Sequence, residues 1–358
     1  MPASQKPSKK ILVMKFGGTS VGSPEAMSNA VRIVQEARVD WPHLVVVSSA
    51  LSGTTNLLLD SAAHAARGEL TQLPQAEAAL LASHQTIADG LISNPAQRGR
   101  VIQEIEGLVA GFGDTCRAVA VLGEATPRAL DAIASLGERM AVRLLAAALE
   151  SAGVPSNYLE ATQLVVTDQH FQSAHPNLEA TAQTTHKVLL PLLEDGQVPV
   201  VTGFLGATPE GITTTLGRGG SDYTAAILGA VLPADDVWIW TDVDGVMTAD
   251  PRLVKQAQTI PELSYREIAE LAYFGAKVLH PKAIRPVVEA GIGLRICNTF
   301  QPEHPGTRLI ADSAANNGNH HNSNGVIKAV TAIRGQQLVT IEGRGMLGVP
   351  GVAARTFG

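Results

Sequence analysis

The chain has 358 residues, 45% of them apolar, and a formal net charge of −6. That length suits about two domains with at least one large core. The acidic balance offers no basic stripe to follow a phosphodiester backbone, so nucleic acid is not an expected partner. Cys116 and Cys297 stand far apart and outside any CxxC pair, which excludes a disulfide framework or a thiolate metal site and suits a reducing cytoplasm. No apolar run reaches the roughly 18 to 20 residues of a bilayer span, so no membrane partner is expected.

Residues 1–9, with two prolines and no apolar core of signal-peptide length, are expected to be a disordered leader. KILVMKF (10–16) and LVVVSSA (44–50) are short β-branched runs, with helix-like PEAMSNAVRIVQEARVD between them, which is a strand, helix, strand unit. Residues 56–150 have mostly helical spacing, and then VPVVTGF (198–204) and DVWIWTD (236–242) return as strands. Continuous apolar runs of this kind mark parallel strands buried on both faces. The expected class is α/β, a three-layer αβα sandwich around a largely parallel sheet, spanning residues 10–310.

Residues 311–325, ADSAANNGNHHNSNG, have little to bury and read as a polar linker. Its adjacent His320 and His321 are expected to be solvated, not metal-bound. Residues 326–358 read as strand, turn, strand, loop and the start of a helix. That is too little for a stable domain, so a truncated piece is expected. GRGMLG (343–348) matches GxGxxG, but a dinucleotide site needs the rest of a βαβ unit and an acid about 20 residues on.

Lys15 in KFGGTS puts an ammonium at the end of a buried strand beside Gly17 and Gly18, whose bare amides can face an anion. The alternative is a tight turn whose lysine reaches solvent. In VVVSSALSGTTNLLL the hydroxyls of Ser48, Ser49, Thr54 and Thr55 can cap a helix, contact a ligand, or both. In TLGRGGSDYTAA, Gly217, Gly219 and Gly220 allow close backbone approach and Arg218 can clamp a carboxylate bidentately. Ser221 and Asp222 fall at a helix N-terminus, and an ordinary capping loop is the competing reading. DVWIWTDVDGVMTADPR is a strand ending in Thr241, Asp242 and Asp244, at the edge where open α/β sheets bind ligands. It lacks the third acid of an EF-hand loop, so calcium is not expected. Glu138 falls at an apparent helix start, where a plain dipole partner suffices. Lys277 reads as a surface lysine, and His280 has no evident partner.

Together, KFGGTSV, VVVSSALSGTTNLL, SLGERMAVRLL, TTTLGRGGSDYTAA, WTDVDGVMTADPR and YFGAKVLHPKAI resemble, in order and spacing, the aspartate kinases of the amino acid kinase family, over residues 10 to about 308. The C-terminal piece resembles the opening of an ACT regulatory domain, and GRGMLGVPGVAARTFG resembles the bifunctional aspartokinase and homoserine dehydrogenase proteins. The resemblance implies ATP- and Mg2+-dependent phosphorylation of the L-aspartate side chain to 4-phospho-L-aspartate, the first step toward lysine, threonine and methionine. It also implies a homodimer in the full-length parent.

By the same resemblance, Lys15 contacts the transferring phosphate, Gly17 and Gly18 let amides approach it, and Asp222 orients Lys15. Arg218 holds a carboxylate of the amino acid, Glu138 and Thr55 complete its pocket, and Ser49 and Ser221 line it. Thr241, Asp242, Met247, Arg252, Lys277 and Val278 surround ATP. Magnesium is expected through phosphate oxygens and water, with no dedicated protein ligands. Met247 stands where the family often has tyrosine. The alternatives are another amino acid kinase, acting on glutamate or N-acetylglutamate, and a non-catalytic amino-acid sensor.

Overall fold

The computed structural model describes residues 10–273, 279–310, 327–333 and 335. Strand β1 (Ile11–Phe16) runs through the one-turn helix α1 (Gly18–Val21) into α2 (Pro24–Ala37) and then β2 (His43–Ser48). The alanine- and leucine-rich stretch forms α3 (Thr54–Ala66), α4 (Leu73–Leu91), α5 (Pro95–Leu122) and α6 (Pro127–Ser151). Then come β3 (Ser156–Leu159), α7 (Leu178–Glu194), β4 (Val198–Thr202), the hairpin strands β5 (Leu205–Ala207) and β6 (Thr213–Thr215), and α8 (Gly220–Val231). The remainder is β7 (Asp236–Thr241), β8 (Glu262–Ser264), α9 (Tyr265–Tyr273), α10 (Pro281–Ala290), β9 (Gly293–Asn298) and β10 (Thr307–Ile310).

The long helices start where the sequence punctuates them. Ser23, Asn94, Thr126 and Asn177 each accept an amide of the first turn of α2, α5, α6 and α7, and the first three are followed by proline. A side-chain acceptor satisfies an amide the helix leaves orphaned, and proline at the first position has no amide to orphan.

Eight strands form one sheet in the order β3-β4-β2-β1-β7-β9-β10-β8. The β9–β10 pair is antiparallel and the other neighbours are parallel. Side chains alternate across β1. Leu12, Met14 and Phe16 join the core under α2 to α6, with Met27, Leu58, Ile87, Phe112 and Leu145. Ile11 and Val13 join the opposite core, with Leu189 of α7, Ile227 and Leu228 of α8, and Val287 of α10. The expected three-layer sandwich is the observed one. Period-2 alternation gives the next place on that second face to Lys15, so a charge stands where β1 reaches its carboxyl end beside α8.

The chain leaves β1 toward β2 on one side, and β7 returns later on the other. Such a switch in strand order opens a crevice beyond the carboxyl ends of the strands.

The linker expected at 311–325 and most of the ACT-like segment lie outside the described residues. Where the sequence suggests a strand at the start of that segment, residues 327–333 contain none. A strand needs a ladder, and the amide hydrogen bond of this stretch runs from Val330 to the Thr248 carbonyl, 2.9 Å. Lys328 also pairs with Glu267 of α9 at 2.6 Å. Among the described residues no helix is long and apolar enough to cross a membrane.

Candidate active site

A cavity of about 380 Å³ opens at the carboxyl ends of β1 and β2, within the size range of small-molecule sites. Lys15, Ser49, Thr55, Glu138, Ser221 and Asp222 line it, side chains drawn from β1, the β2–α3 loop, α3, α6 and α8. Residues spread over more than 200 positions meet because the parallel strands end on one edge.

Lys15 is 8% exposed, and its Nζ lies 2.7 Å from Asp222 Oδ1. The contact lies outside hydrogen-bond angles and is an ion pair. Burying a charged side chain is costly unless it is paired, and Asp222 supplies the partner for Lys15. The solvent-facing alternative for Lys15 is therefore excluded. Asp222 sits in the first turn of α8 but does not cap it, because Gly219 is the N-cap and makes no side-chain cap. Gly217 and Gly219 have φ of +77° and +69°, the left-handed region where a Cβ is strained. That geometry turns the chain sharply enough to present Ser221 and Asp222 to the cavity. Arg218, between them, is exposed and does not line the cavity.

Glu138 corrects its sequence reading. It lies in the middle of α6, far from any helix start, and is 4% exposed. Burial pushes its carboxyl up to about 8, against the amide hydrogen bonds of Ala50 and of Glu138 itself and the charge of Lys15, which favour the ionised form. Its Oε2 has no hydrogen-bond partner among the described residues. An orphaned, buried carboxylate oxygen in a polar cavity is a ready seat for a cationic group.

The capping alternative for the β2–α3 hydroxyls also fails, since α3 starts after Gly53 with no side-chain cap. Gly17 and Gly18 do different jobs. The Gly17 amide is taken by the Trp240 carbonyl at 3.0 Å, so it is not free to bind an anion as expected. Gly18 lines the cavity, and a Cβ there would meet the Ala50 carbonyl oxygen at 2.9 Å, too close for any side chain.

The residues expected around a nucleotide are not gathered into this cavity. Thr241 donates to Asp242 Oδ1 at 3.2 Å at the end of β7. Arg252 is held bidentately by Asp250, at 3.0 and 2.7 Å. Met247 bridges Thr259, whose hydroxyl donates to its Sδ at 3.5 Å. Lys277 and Val278 lie outside the described residues. His280, which had no evident partner in the sequence, is the N-cap of α10 and accepts the Lys282 amide at 3.3 Å.

Two residues escaped the sequence reading. Asp131, two turns before Glu138 on α6 and 1% exposed, accepts the Gln172 amide at 3.0 and 2.9 Å. It also accepts the Thr215 amide at 3.0 Å and the Thr215 hydroxyl at 2.7 Å. It thereby clasps the entry of the glycine-rich loop and the 168–175 loop to the helix that carries Glu138. Phe204 forms a wall of the cavity with φ at +68°, an unusual conformation for an aromatic residue. An acid two helical turns upstream of Glu138, on the same face, was the one available signal for Asp131.

The cavity thus sets a buried ion pair and an unpartnered acid together at the switch point of a three-layer α/β sandwich, where folds of this class bind small molecules. The amino acid kinase family matches residues 10–298, and the chain belongs to that family. Aspartokinases are among its relatives there. It is 35% identical to lysine-sensitive aspartokinase 3 of Escherichia coli, over 98% of this chain and 73% of that protein. It is 34% identical to the chloroplastic bifunctional aspartokinase/homoserine dehydrogenase 1 of Zea mays, over 97% of this chain and 37% of that protein. It thus spans little more than a third of the bifunctional relatives. Among solved structures it resembles E. coli aspartokinase III in complex with aspartate and ADP (R-state), with a TM-score of 0.77 and 36% identity over 84% of this chain and 65% of the other.

Proposed function

We propose that this chain catalyses ATP-dependent phosphorylation of the side-chain carboxylate of L-aspartate, giving 4-phospho-L-aspartate and ADP. The observation that carries the reading is the pairing, in one cavity, of the buried Lys15–Asp222 ion pair with a buried Glu138 whose Oε2 lacks a partner. The similarity to aspartokinases, one of them solved with aspartate and ADP, supports it.

An aspartate side chain has an unperturbed pKa near 3.9, so the nucleophile is already ionised at neutral pH and no general base is needed. A carboxylate oxygen attacks the γ-phosphorus, the bond to the bridging oxygen breaks, and ADP leaves with the electron pair. The obstacle is the approach of two anions, which positioning and fixed charge overcome. Lys15 meets the transferring phosphoryl group, held there by Asp222. Glu138 receives the substrate ammonium, Arg218 swings from the rim onto the α-carboxylate, and the hydroxyls of Ser49, Thr55 and Ser221 complete the pocket. An N-acylated substrate would leave Glu138 unpaired, which disfavours N-acetylglutamate.

Thr241, at the end of β7, and Asp242, Met247 and Arg252 beyond it would hold ATP, and Lys277 and Val278 belong to the same proposal. Mg2+ would suit this edge through phosphate oxygens and water beside the exposed carboxylate of Asp242, and when bound it would neutralise phosphate charge. A homodimer built through the C-terminal segment belongs to the same proposal.

The test is acyl-phosphate formation trapped as the hydroxamate, with MgATP and L-aspartate, L-glutamate or N-acetyl-L-glutamate in parallel. Product from aspartate alone is the expected result. Product from either other acid would replace the substrate, and saturable aspartate binding without product would favour the sensor.

A further inference from the structure

Residues 168–175, which precede α7, form a loop closed on itself. The Asp168 amide donates to the His175 carbonyl at 3.0 Å, and Asp168 Oδ1 accepts the amides of His170 and His175 at 3.1 and 2.9 Å. The loop is moored from outside by Asp131, which takes the Gln172 amide, and by the Ala174 amide, which donates to the Thr215 carbonyl at 2.9 Å. These ties bring Asp168, His170 and His175 onto one exposed surface, with a ligand atom of each within 4.8 Å of the others. The two imidazoles lie edge to face, 5.7 Å between centroids. Asp168 Oδ2 and His175 Nδ1 are 3.1 Å apart.

We propose that Asp168, His170 and His175 form a binding site for a divalent transition-metal ion of the Zn2+, Ni2+ or Cu2+ type. Two imidazoles and one carboxylate match the donor preference of those ions, whereas Mg2+ and Ca2+ seek shells of oxygen. Two donors on one tetrahedral ion, each at about 2.0–2.1 Å, lie ~3.3 Å apart. Asp168 Oδ2 and His175 Nδ1 already have nearly that spacing, and His170 reaches it by rotating an exposed side chain. Asp168 Oδ1 keeps its two amide bonds, which fix the ligating carboxylate as an outer shell does in established sites. Three protein ligands leave the fourth position to water.

The site stands apart from the cavity but not from its frame. A Cβ on Gly217 would lie 3.1 Å from the Gln172 carbonyl oxygen, so the loop backs directly onto the glycine-rich turn. An ion here braces the outer side of that wall. The inference does not depend on the kinase reading.

The test is calorimetric titration of Zn2+ into the tag-free full chain, with Co2+ absorption as a second readout. The expected result is one equivalent bound, a visible d–d band of four-coordinate Co2+, and affinity weakened about tenfold or more in His170→Ala and in His175→Ala. Circular dichroism checks that these exposed variants fold. His64→Ala and the double variant His320→Ala/His321→Ala serve as controls and are expected to bind like the parent. Absence of saturable binding, unchanged affinity in both loop variants, or loss of binding in a control instead overturns the proposal.

Discussion

The two halves of the crevice are built differently. The half proposed for the amino acid draws its side chains from strand β1, the β2–α3 loop and the helices α3, α6 and α8, elements fixed by extensive cores. The half proposed for the nucleotide is a polar stretch beyond β7 in which Arg252 is held by Asp250 and Met247 by Thr259. A small, rigid amino acid calls for a preformed pocket with charges at set distances, while the nucleotide can organise side chains around its own phosphates. The pocket that must discriminate is the one the core holds.

That contrast predicts a graded series of effects. Lys15→Ala should retain the fold, with a lowered thermal midpoint because Asp222 loses its buried partner, and lose about 10²- to 10³-fold in kcat, because it removes the charge proposed to meet the transferring group. Near-normal turnover would move the chemistry out of the preformed half.

Glu138 should impose a pH dependence. Its carboxyl is held protonated up to about 8 in the free protein, and a substrate ammonium pairs only with the ionised form. Apparent KM for aspartate should therefore fall as pH rises toward 8, by up to about tenfold per unit, and be raised and flat in Glu138→Gln. For stability the sign is the reverse. A folded-state value above the unfolded one stabilises fully below about 4.5, and that contribution is lost as pH rises to about 8. Added aspartate should thus raise the melting temperature more at pH 8 than at pH 6, and equal shifts would contradict the ammonium role.

Asp131→Asn presents an amide nitrogen to donors that need an acceptor. It should cost about 1–3 kcal/mol of stability and raise KM for aspartate, with KM for ATP little changed. Equal effects on both constants would show that the clasp serves the whole crevice. The smallest effect belongs to the other half. Met247→Tyr should lower KM for ATP a few-fold, consistent with about 0.5–1.5 kcal/mol from an aromatic stack, and leave KM for aspartate alone.

The sequence made the centre of the sheet legible because β1, β2, β4 and β7 are unbroken apolar runs. It hid the edges. β3 is the half-polar SNYL, β8 only ELS, and β9 mixes Arg295 and Asn298 into its apolar pattern. Such strands exist through their neighbours, not through their own preference. The site was legible where chemistry clustered locally, as in KFGGTS and GRGGSD. Glu138 was visible but misplaced within its helix. Asp131 had only its place two turns before Glu138 to mark it, since its partners Gln172 and Thr215 lie 41 and 84 residues away and nothing in PRALDAI announces them.

The central place of β1 also governs when the site can come into being. The Ile11 amide is tied to Asp235 across 224 residues, and β7 is the permanent neighbour on that flank. At a synthesis rate of about 5–20 residues per second, the strand carrying Lys15 waits roughly 10 to 50 s on the ribosome before its partner emerges. Through that interval β1 has a neighbour on one side at most, with an apolar edge that could pair wrongly. The buried lysine near its end is then an advantage of another kind, since an unpaired charge discourages edge-to-edge association until Asp222 and β7 arrive to enclose it.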